Sequence, residues 1–129
     1  MATTSRPRLA SYPRPNVAVD IAVLTVVDGQ LNVVVQRDSD SGKAALPGRF
    51  IRERHTVDET VREVLELKLG LSPDRVRPHL LAVFCDPDRD PRGWTISIAH
   101  AVAQPASALT DVVGELAPLD VDGRLASCL

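Results

Sequence analysis

Two β-branched segments on either side of Asp28-Gly29 constrain the fold more than any other feature. Residues 17–27 are almost continuously apolar and rich in Val and Ile, with Asp20 as the exception. The same pattern resumes over residues 31–35. Asp-Gly between two such segments is typical of a tight hairpin, because both residues tolerate the positive φ angles that the turn requires. The sequence therefore predicts a β-hairpin near its start.

One segment, Thr56 to Leu69, has a clear helical pattern. Thr56 and Glu59 have the spacing of a capping box, and Gly70 is typical of the position just after a helix. At 100° per residue the apolar side chains share one arc, which contains Val57, Val61, Val64, Leu65 and Leu67. Lys68 also falls within this apolar arc. We therefore expect an amphipathic helix with one anomalous lysine.

The rest of the chain divides into an arm, two strands and a tail. Residues 1–16 combine Arg-Pro and Tyr-Pro pairs with no apolar period, which indicates a flexible N-terminal arm. Further strands are predicted at residues 80–85 and 94–103, and a charged, proline-rich loop joins them. The tail from residue 120 to 129 can add a short helix. We interpret residues 17–129 as a single domain.

The composition narrows the function classes. Hydrophobic residues make up 44% and charged residues 25%, as in globular proteins. A net charge of −2 argues against a dedicated nucleic-acid or anionic-membrane binder. Two cysteines are too few for a disulfide framework, and no apolar stretch approaches the length of a membrane span. We expect a cytoplasmic protein with neither a nucleic-acid nor a membrane partner.

The order of these elements around Leu46-Pro47-Gly48-Arg49-Phe50 resembles the Nudix hydrolase family. The resemblance has no gap from residue 46 to 71, and it continues into Tyr12-Pro13-Arg14-Pro15, Val19-Asp20 and Arg89-Asp90-Pro91-Arg92-Gly93. These flanking motifs are similar to those of ADP-ribose pyrophosphatases and of Nudix domains that regulate NAD metabolism. The resemblance implies an α/β fold, an α/β/α sandwich around a mixed β-sheet, and a homodimer.

The catalytic box of this family reads G-x5-E-x7-R-E-U-x-E-E-x-G-U, and its glutamates hold Mg²⁺ or Mn²⁺. In the ungapped alignment Arg49 stands at the box glycine, His55 at the first glutamate and Lys68 at the last. The residue types of the family remain only at Leu65, Gly70 and Leu71. The resemblance thus implies the scaffold of the box without its metal-binding glutamates and without a metal cofactor. His55 is the one candidate for acid–base catalysis in this register.

An alternative alignment, shifted by one residue, is consistent with a hydrolase. It aligns Gly48 with the box glycine and recovers two of the family's carboxylates, Glu63 and Glu66. It also puts Arg54 at the first glutamate and Leu69 at the final glycine. Under this alternative the two glutamates would hold Mg²⁺ for the cleavage of a nucleoside diphosphate derivative such as ADP-ribose.

Cationic side chains cluster just before the predicted helix, where its N-terminal N–H groups favour anions. They are Arg49, Arg52, Arg54 and His55. One interpretation is a cradle for a phosphate or carboxylate. The other is a solvated loop whose charges are balanced by Glu53, Asp58 and Glu59. Both stay open at this point.

Lys68 and Trp94 have two interpretations each, and the loop between the last two predicted strands has one. Lys68 either pairs with an anionic ligand, where the family has a glutamate facing the diphosphate, or extends its ammonium to water. By resemblance, the segment from Arg89 to Gly93, which includes Arg92, forms one wall of the ligand pocket. Trp94 either stacks on a nucleobase or fills the core at the end of its strand.

The favoured function is a Nudix-fold protein that binds a small anionic, nucleotide-like or phosphorylated ligand, or that carries out metal-free chemistry. One alternative is the diverged Mg²⁺-dependent hydrolase. Another is a dimeric protein-interaction module with an unused pocket. Regulators of this branch carry a helical DNA-binding region after the Nudix domain, and residues 105–129 are too short for one. We therefore do not expect direct control of DNA.

Overall fold

The computed structural model describes residues 8–120, 122 and 124. Seven strands form one sheet: β1 (Asn16–Val27), β2 (Gln30–Arg37), β3 (Ala44–Ala45), β4 (Gly48–Phe50), β5 (His79–Phe84), β6 (Thr95–Ala103) and β7 (Glu115–Pro118). Their order is β3-β2-β1-β6-β5, with β4 also paired to β1 and β7 to β2. Within this sheet β1 and β6 run parallel, and the remaining pairs are antiparallel. The predicted α/β fold with a mixed sheet is confirmed.

Strands β1 and β2 form the hairpin that the sequence predicts. Val27 pairs with Gln30, so the loop has two residues. Asp28 and Gly29 have φ angles of 50° and 77°. Positive φ at both positions matches the right-handed twist of the flanking strands, which is why Asp-Gly is favoured there.

The described residues include one α-helix, α1 (Val57–Glu63), which lies on one face of the sheet and continues into a π-helical turn, Val64–Lys68. Short 3-10 turns cover Leu9–Ser11, Pro73–Arg75 and Ala106–Leu109. The main core lies between the helix and β1, and it includes Val19, Ile21, Val23, Val61, Val64, Leu65 and Leu69. A smaller cluster occupies the other face of the sheet, with Ala22, Val33, Val35 and Ala117. Because successive side chains of β1 point to opposite faces of the sheet, this strand contributes residues to both clusters.

The helix begins and ends as predicted. Thr56 Oγ1 accepts a hydrogen bond of 3.0 Å from the Glu59 N–H, which caps the first turn. The Glu59 carboxylate accepts from the Thr56 hydroxyl at 3.2 Å. At the other end Gly70 has a φ angle of 70°, and the Leu71 N–H donates to Leu65 O at 2.8 Å. This left-handed glycine closes the helix and turns the chain away.

The second half of the helical segment departs from the prediction. Leu69 N–H donates to Val64 O at 3.1 Å, a step of five residues instead of four. The wider turn changes the angular position of the residues that follow. Leu67 is consequently 70% exposed and Lys68 is also exposed. Placing these two side chains on the buried apolar arc was wrong.

The other strands agree with the sequence in part. Strands β5 and β6 correspond to the two strands predicted after the helix, whereas the short strands β3, β4 and β7 were not predicted. Residues 1–7 of the predicted arm and most of the tail after residue 120, including Cys128, lie outside the described residues. In the described part of the chain no helix has the length and hydropathy needed to cross a membrane.

Candidate functional site

An open cleft of about 660 Å³ lies beside the middle of β1. Strands β2 and β4, the loops that flank them and the end of the π-helical turn form its walls. Five cationic side chains line it, namely Arg37, Arg49, Arg52, Lys68 and Arg92, against two carboxylates, Asp20 and Asp38. This excess of positive charge is suited to an anionic ligand.

The floor of the cleft depends on the close approach of β4 to β1. Pro47 O accepts a hydrogen bond of 2.9 Å from the Ile21 N–H just before β4 begins. A Cβ atom at Gly48 would lie only 2.6 Å from Val19 O, and closer still to the carboxylate of Asp20. Glycine is needed here because nothing larger fits between the two strands. The close approach of the two strands therefore explains why the Leu46-Pro47-Gly48 motif ends in glycine.

Beside the cleft, one carboxylate is held by two basic side chains. Arg49, on β4, donates from Nη1 to Glu63 Oε2 at 2.9 Å. His55 Nδ1 lies 3.1 Å from Glu63 Oε1, although the two groups are not aligned for a hydrogen bond. The Arg49 and Glu63 side chains are only 15% and 24% exposed. We call Arg49, His55 and Glu63 the inner cluster.

These residues do not fit the divalent metal of the family. Mg²⁺ needs several oxygen ligands at once. Both oxygens of Glu63 already face basic groups, and Glu66 is exposed to solvent. Among the described residues no group of three His, Cys, Asp or Glu side chains is arranged to hold a metal ion. The inner cluster thus has a cation of its own, the Arg49 guanidinium, on the carboxylate.

The opposite rim of the cleft carries a second arginine–carboxylate pair. Arg92 donates from Nε and Nη2 to the two oxygens of Asp90, at 3.0 and 2.8 Å. Hydrogen bonds from Arg92 lower the pKa of Asp90 to about 2, and the pKa of Arg92 is raised in turn. The guanidinium lies over the ring of Phe50, 5.5 Å from its centre. We call Arg92 and Asp90 the rim pair.

The structure brings together only some of the predicted site residues. Arg49, Arg52, Lys68 and Arg92 line the cleft, whereas His55 and Glu63 lie beside it in the inner cluster. The cleft lining does not include Arg54, Glu66, Arg89 or Trp94. Trp94 is 44% exposed, so the interpretation that it fills the core is wrong.

Sequence reasoning missed several residues of the cleft. Asp20 was noticed as the exception in an apolar strand, but not as a lining residue. Gln36 donates through its amide to Lys68 O at 2.8 Å and to Val113 O at 2.9 Å, which attaches the end of the π-helical turn to the loop before β7. Phe50 had no signal of its own, since aromatic residues in such short apolar segments are equally common in protein cores.

The comparisons with known proteins agree with this architecture. No family model matches the chain. An ADP-ribose pyrophosphatase of Methanocaldococcus jannaschii is 39% identical over 104 residues, which cover 80% of this chain and 54% of the relative. An ADPR-responsive transcriptional repressor, NtrR, of Acinetobacter baylyi is 32% identical over 99 residues, covering 70% of this chain and 38% of the repressor. The chain thus spans about half the length, or less, of these curated relatives.

Among solved structures, the Nudix domain of Shewanella oneidensis NrtR, crystallised with ADP-ribose, superposes with a TM-score of 0.68. It is 23% identical, and the match covers 87% of this chain and 77% of that domain. This likeness identifies the fold, and the two curated relatives show what the chain is similar to in sequence. The chain therefore has the Nudix fold and is homologous to ADP-ribose pyrophosphatase and to ADP-ribose-responsive repressors.

Proposed function

We propose that this domain binds a nucleotide diphosphate of the ADP-ribose class in the cleft, without a resident divalent metal. The observation that carries the proposal is the contact between Arg49 and Glu63 beside a cleft rich in cations. In the family a metal ion neutralises the diphosphate. Here the side chains supply positive charge directly, and the carboxylate that could hold a metal is already paired.

The cleft has enough cationic groups for this task. Arg49, Arg52, Lys68 and Arg92 line it from different elements, so a diphosphate can be contacted from several sides. Arginine binds phosphate oxygens through two parallel N–H groups, and such charge-assisted bonds are stronger than neutral ones. Lys68 adds a point charge at the position of the family's last glutamate. Binding without cleavage is the expected outcome.

The relatives support the ligand class. One is named for cleaving ADP-ribose, and the other for responding to it. The second relative is a transcriptional repressor, so the expected absence of a nucleic-acid partner stays a prediction for this chain. The proposal concerns only this domain, because the matches cover 54% and 38% of the two relatives.

One alternative is a diverged hydrolase that uses Glu63 and Glu66. The pyrophosphatase relative favours it. This activity would require Glu63 to leave Arg49, and Glu66 to turn toward the ligand from its exposed position. Rearrangement of a paired, part-buried carboxylate is costly, since Arg49 would lose its partner.

Another alternative is a dimeric interaction module, and β5 favours it. This strand forms one edge of the sheet, and Leu80, Leu81, Val83 and Phe84 are 64, 58, 51 and 50% exposed. Open edges with apolar side chains are typical of surfaces that another chain covers. We therefore propose a homodimer. A sedimentation mass near 13.9 kDa at micromolar concentration would contradict it.

A thermal-shift and calorimetric titration with ADP-ribose tests the binding proposal. We expect the melting temperature to rise with ADP-ribose to the same extent in EDTA and in Mg²⁺, because binding to the folded state alone stabilises it. Arg52→Ala should weaken the affinity about tenfold, as expected for one lost charge-assisted contact. Arg77→Ala, outside the cleft, removes the same charge and should leave the affinity unchanged.

The same experiment distinguishes the alternatives. Mg²⁺-dependent release of AMP that disappears in Glu63→Gln would overturn the binding proposal in favour of the hydrolase. Absence of any response to ADP-ribose, together with a stable dimer, would favour the interaction module.

A further inference from the structure

One carboxylate of the cleft has no task in diphosphate binding. Asp20 lies in the middle of β1, is partly buried and lines the cleft together with five cationic side chains. Among the described residues no Arg, Lys or His makes a salt bridge with it. A negative charge at this place repels a diphosphate, and the repulsion is stronger than in bulk water. Binding of the phosphates alone would be better served by a neutral residue.

The carboxylate of Asp20 is held in place by two neighbouring strands. Its Oδ2 accepts a short hydrogen bond from the hydroxyl of Ser97 on β6, a residue that is 1% exposed. Its Oδ1 lies against Gly48 on β4, where a Cβ atom would collide with it. A carboxylate fixed between three strands is positioned precisely, as a recognition group must be.

The second carboxylate of the cleft differs from Asp20 in this respect. Asp38 Oδ2 accepts hydrogen bonds from both the N–H and the hydroxyl of Ser41, at 3.0 and 2.8 Å. These bonds lower the pKa of Asp38 and use the carboxylate to shape its own loop. Asp38 therefore has a local structural role, whereas Oδ1 of Asp20 has no hydrogen-bond donor within the described chain.

We infer that Asp20 is a specificity-determining residue, which accepts a hydrogen bond from a sugar hydroxyl of the bound nucleotide. The inference rests on the proposed function of the cleft. An ionised carboxylate only accepts hydrogen bonds, so a ligand must bring a donor to compensate for the repulsion. A ribose hydroxyl does so at a fixed position in the ligand, whereas inorganic pyrophosphate binds the same cations and has no sugar hydroxyl. Asp20 thus selects sugar nucleotides against free phosphates.

Calorimetry in EDTA with two ligands tests the inference. For Asp20→Asn we expect ADP-ribose to bind at least tenfold more weakly, because a hydrogen bond to a charged acceptor is lost. Inorganic pyrophosphate should bind equally well or more tightly. Asp38→Asn is the matched control, since it removes one negative charge from the same cleft. It should shift the affinities for both ligands in the same direction and by similar factors.

Each other result overturns the inference. Equal weakening of both ligands in Asp20→Asn would make Asp20 a purely structural residue, and no weakening of ADP-ribose would exclude the contact. If inosine diphosphate ribose binds the wild type and Asp20→Asn equally, the adenine amino group is the donor, not the sugar. If Mg²⁺ is required for binding and its effect is lost in Asp20→Asn, Asp20 is a metal ligand.

The inference and the proposed function fail in different ways. Wild-type protein that does not bind ADP-ribose in EDTA refutes the proposed function, and the inference falls with it. If the wild type binds ADP-ribose and Asp20→Asn keeps the same preference for ADP-ribose over pyrophosphate, only the inference is refuted and the proposed function stands. If Asp20→Asn does not fold, the carboxyl ¹³C shifts of the wild-type protein test the hydroxyl contact instead. The Asp20 signal should move with ADP-ribose and not with pyrophosphate, and the reverse would contradict the hydroxyl contact.

Discussion

The inner cluster and the rim pair contain the same chemistry in two different settings. Arg49 and Glu63 are 14 residues apart in sequence, connect β4 to α1 and are largely shielded from water. Arg92 and Asp90 are two residues apart in one loop; the Arg92 side chain is 74% exposed, although that of Asp90 is only 12% exposed. The first pair joins two elements and gives the Glu63 carboxylate a cationic partner within the chain. The second orients one guanidinium at the entrance of the cleft.

The two pairs differ in the burial of the arginine, and we expect this burial to decide what is lost when the carboxylate is removed. Exposed pairs contribute roughly 0–1 kcal/mol, because water and ions screen them. Breaking a buried pair costs several kcal/mol, since the remaining charge is left in a poorly solvated place. The predictions below use this contrast, beginning with the largest effect.

Removal of Glu63 should distinguish the inner cluster from the rim pair most clearly. We expect Glu63→Ala to lower the free energy of unfolding by about 2 kcal/mol, because Arg49 stays part-buried without a partner. Urea denaturation measures the change. Asp90→Ala, which breaks the rim pair in the same manner, should change it by less than about 0.5 kcal/mol. Equal losses in the two variants would show that Arg49 without its partner is as well solvated as Arg92.

Lys68 is a third case, a cleft cation for which the described residues include no salt-bridge partner. Because its side chain is exposed, Lys68→Met should leave the melting temperature unchanged, since no buried charge is relieved. The affinity for ADP-ribose should fall by roughly three- to tenfold, as one phosphate contact is lost. Calorimetry and thermal denaturation check both parts. A clear rise in stability would mean that Lys68 is buried after all.

The rim pair should affect binding slightly and stability hardly at all. We expect Asp90→Asn to weaken the affinity for ADP-ribose by about two- to threefold, because Arg92 loses the carboxylate that orients it. Arg92→Gln, which removes the cation itself, should have a larger effect. If Asp90→Asn instead weakens binding tenfold or more, Asp90 contacts the ligand directly.

The smallest effect concerns the titration of Asp90. Its pKa is lowered from 3.8 to about 2 by Arg92, so the rim pair is intact above about pH 4 and is lost as the pH falls through 2. Carboxyl ¹³C shifts measure this titration directly. In Arg92→Gln the midpoint should return toward 3.8. A wild-type midpoint near 4 would mean that the two side chains separate in solution.

The contrast between these regions also marks what could be predicted from the sequence. Local patterns predicted the β1–β2 hairpin, the Thr56 cap and the left-handed Gly70, because each depends on residues a few positions apart. The cationic cluster was also predicted, and two of its members, Arg49 and Arg52, line the cleft. The partner of Arg49 could not be predicted, since Glu63 meets it only when β4 and α1 are packed side by side.

By itself, then, the sequence determined the β1–β2 hairpin, the cap and the terminal glycine of the helix, and the positive charge near the cleft, while the α/β class followed from the family resemblance. Periodicity and turn chemistry act over a few residues, and they do not depend on distant contacts. Tertiary structure alone decided that Lys68 faces solvent after the π-helical turn, that Glu63 is paired with Arg49, and that Asp20 reaches the cleft floor against Gly48. These features depend on strand register and helix winding, which are set by how the distant elements pack.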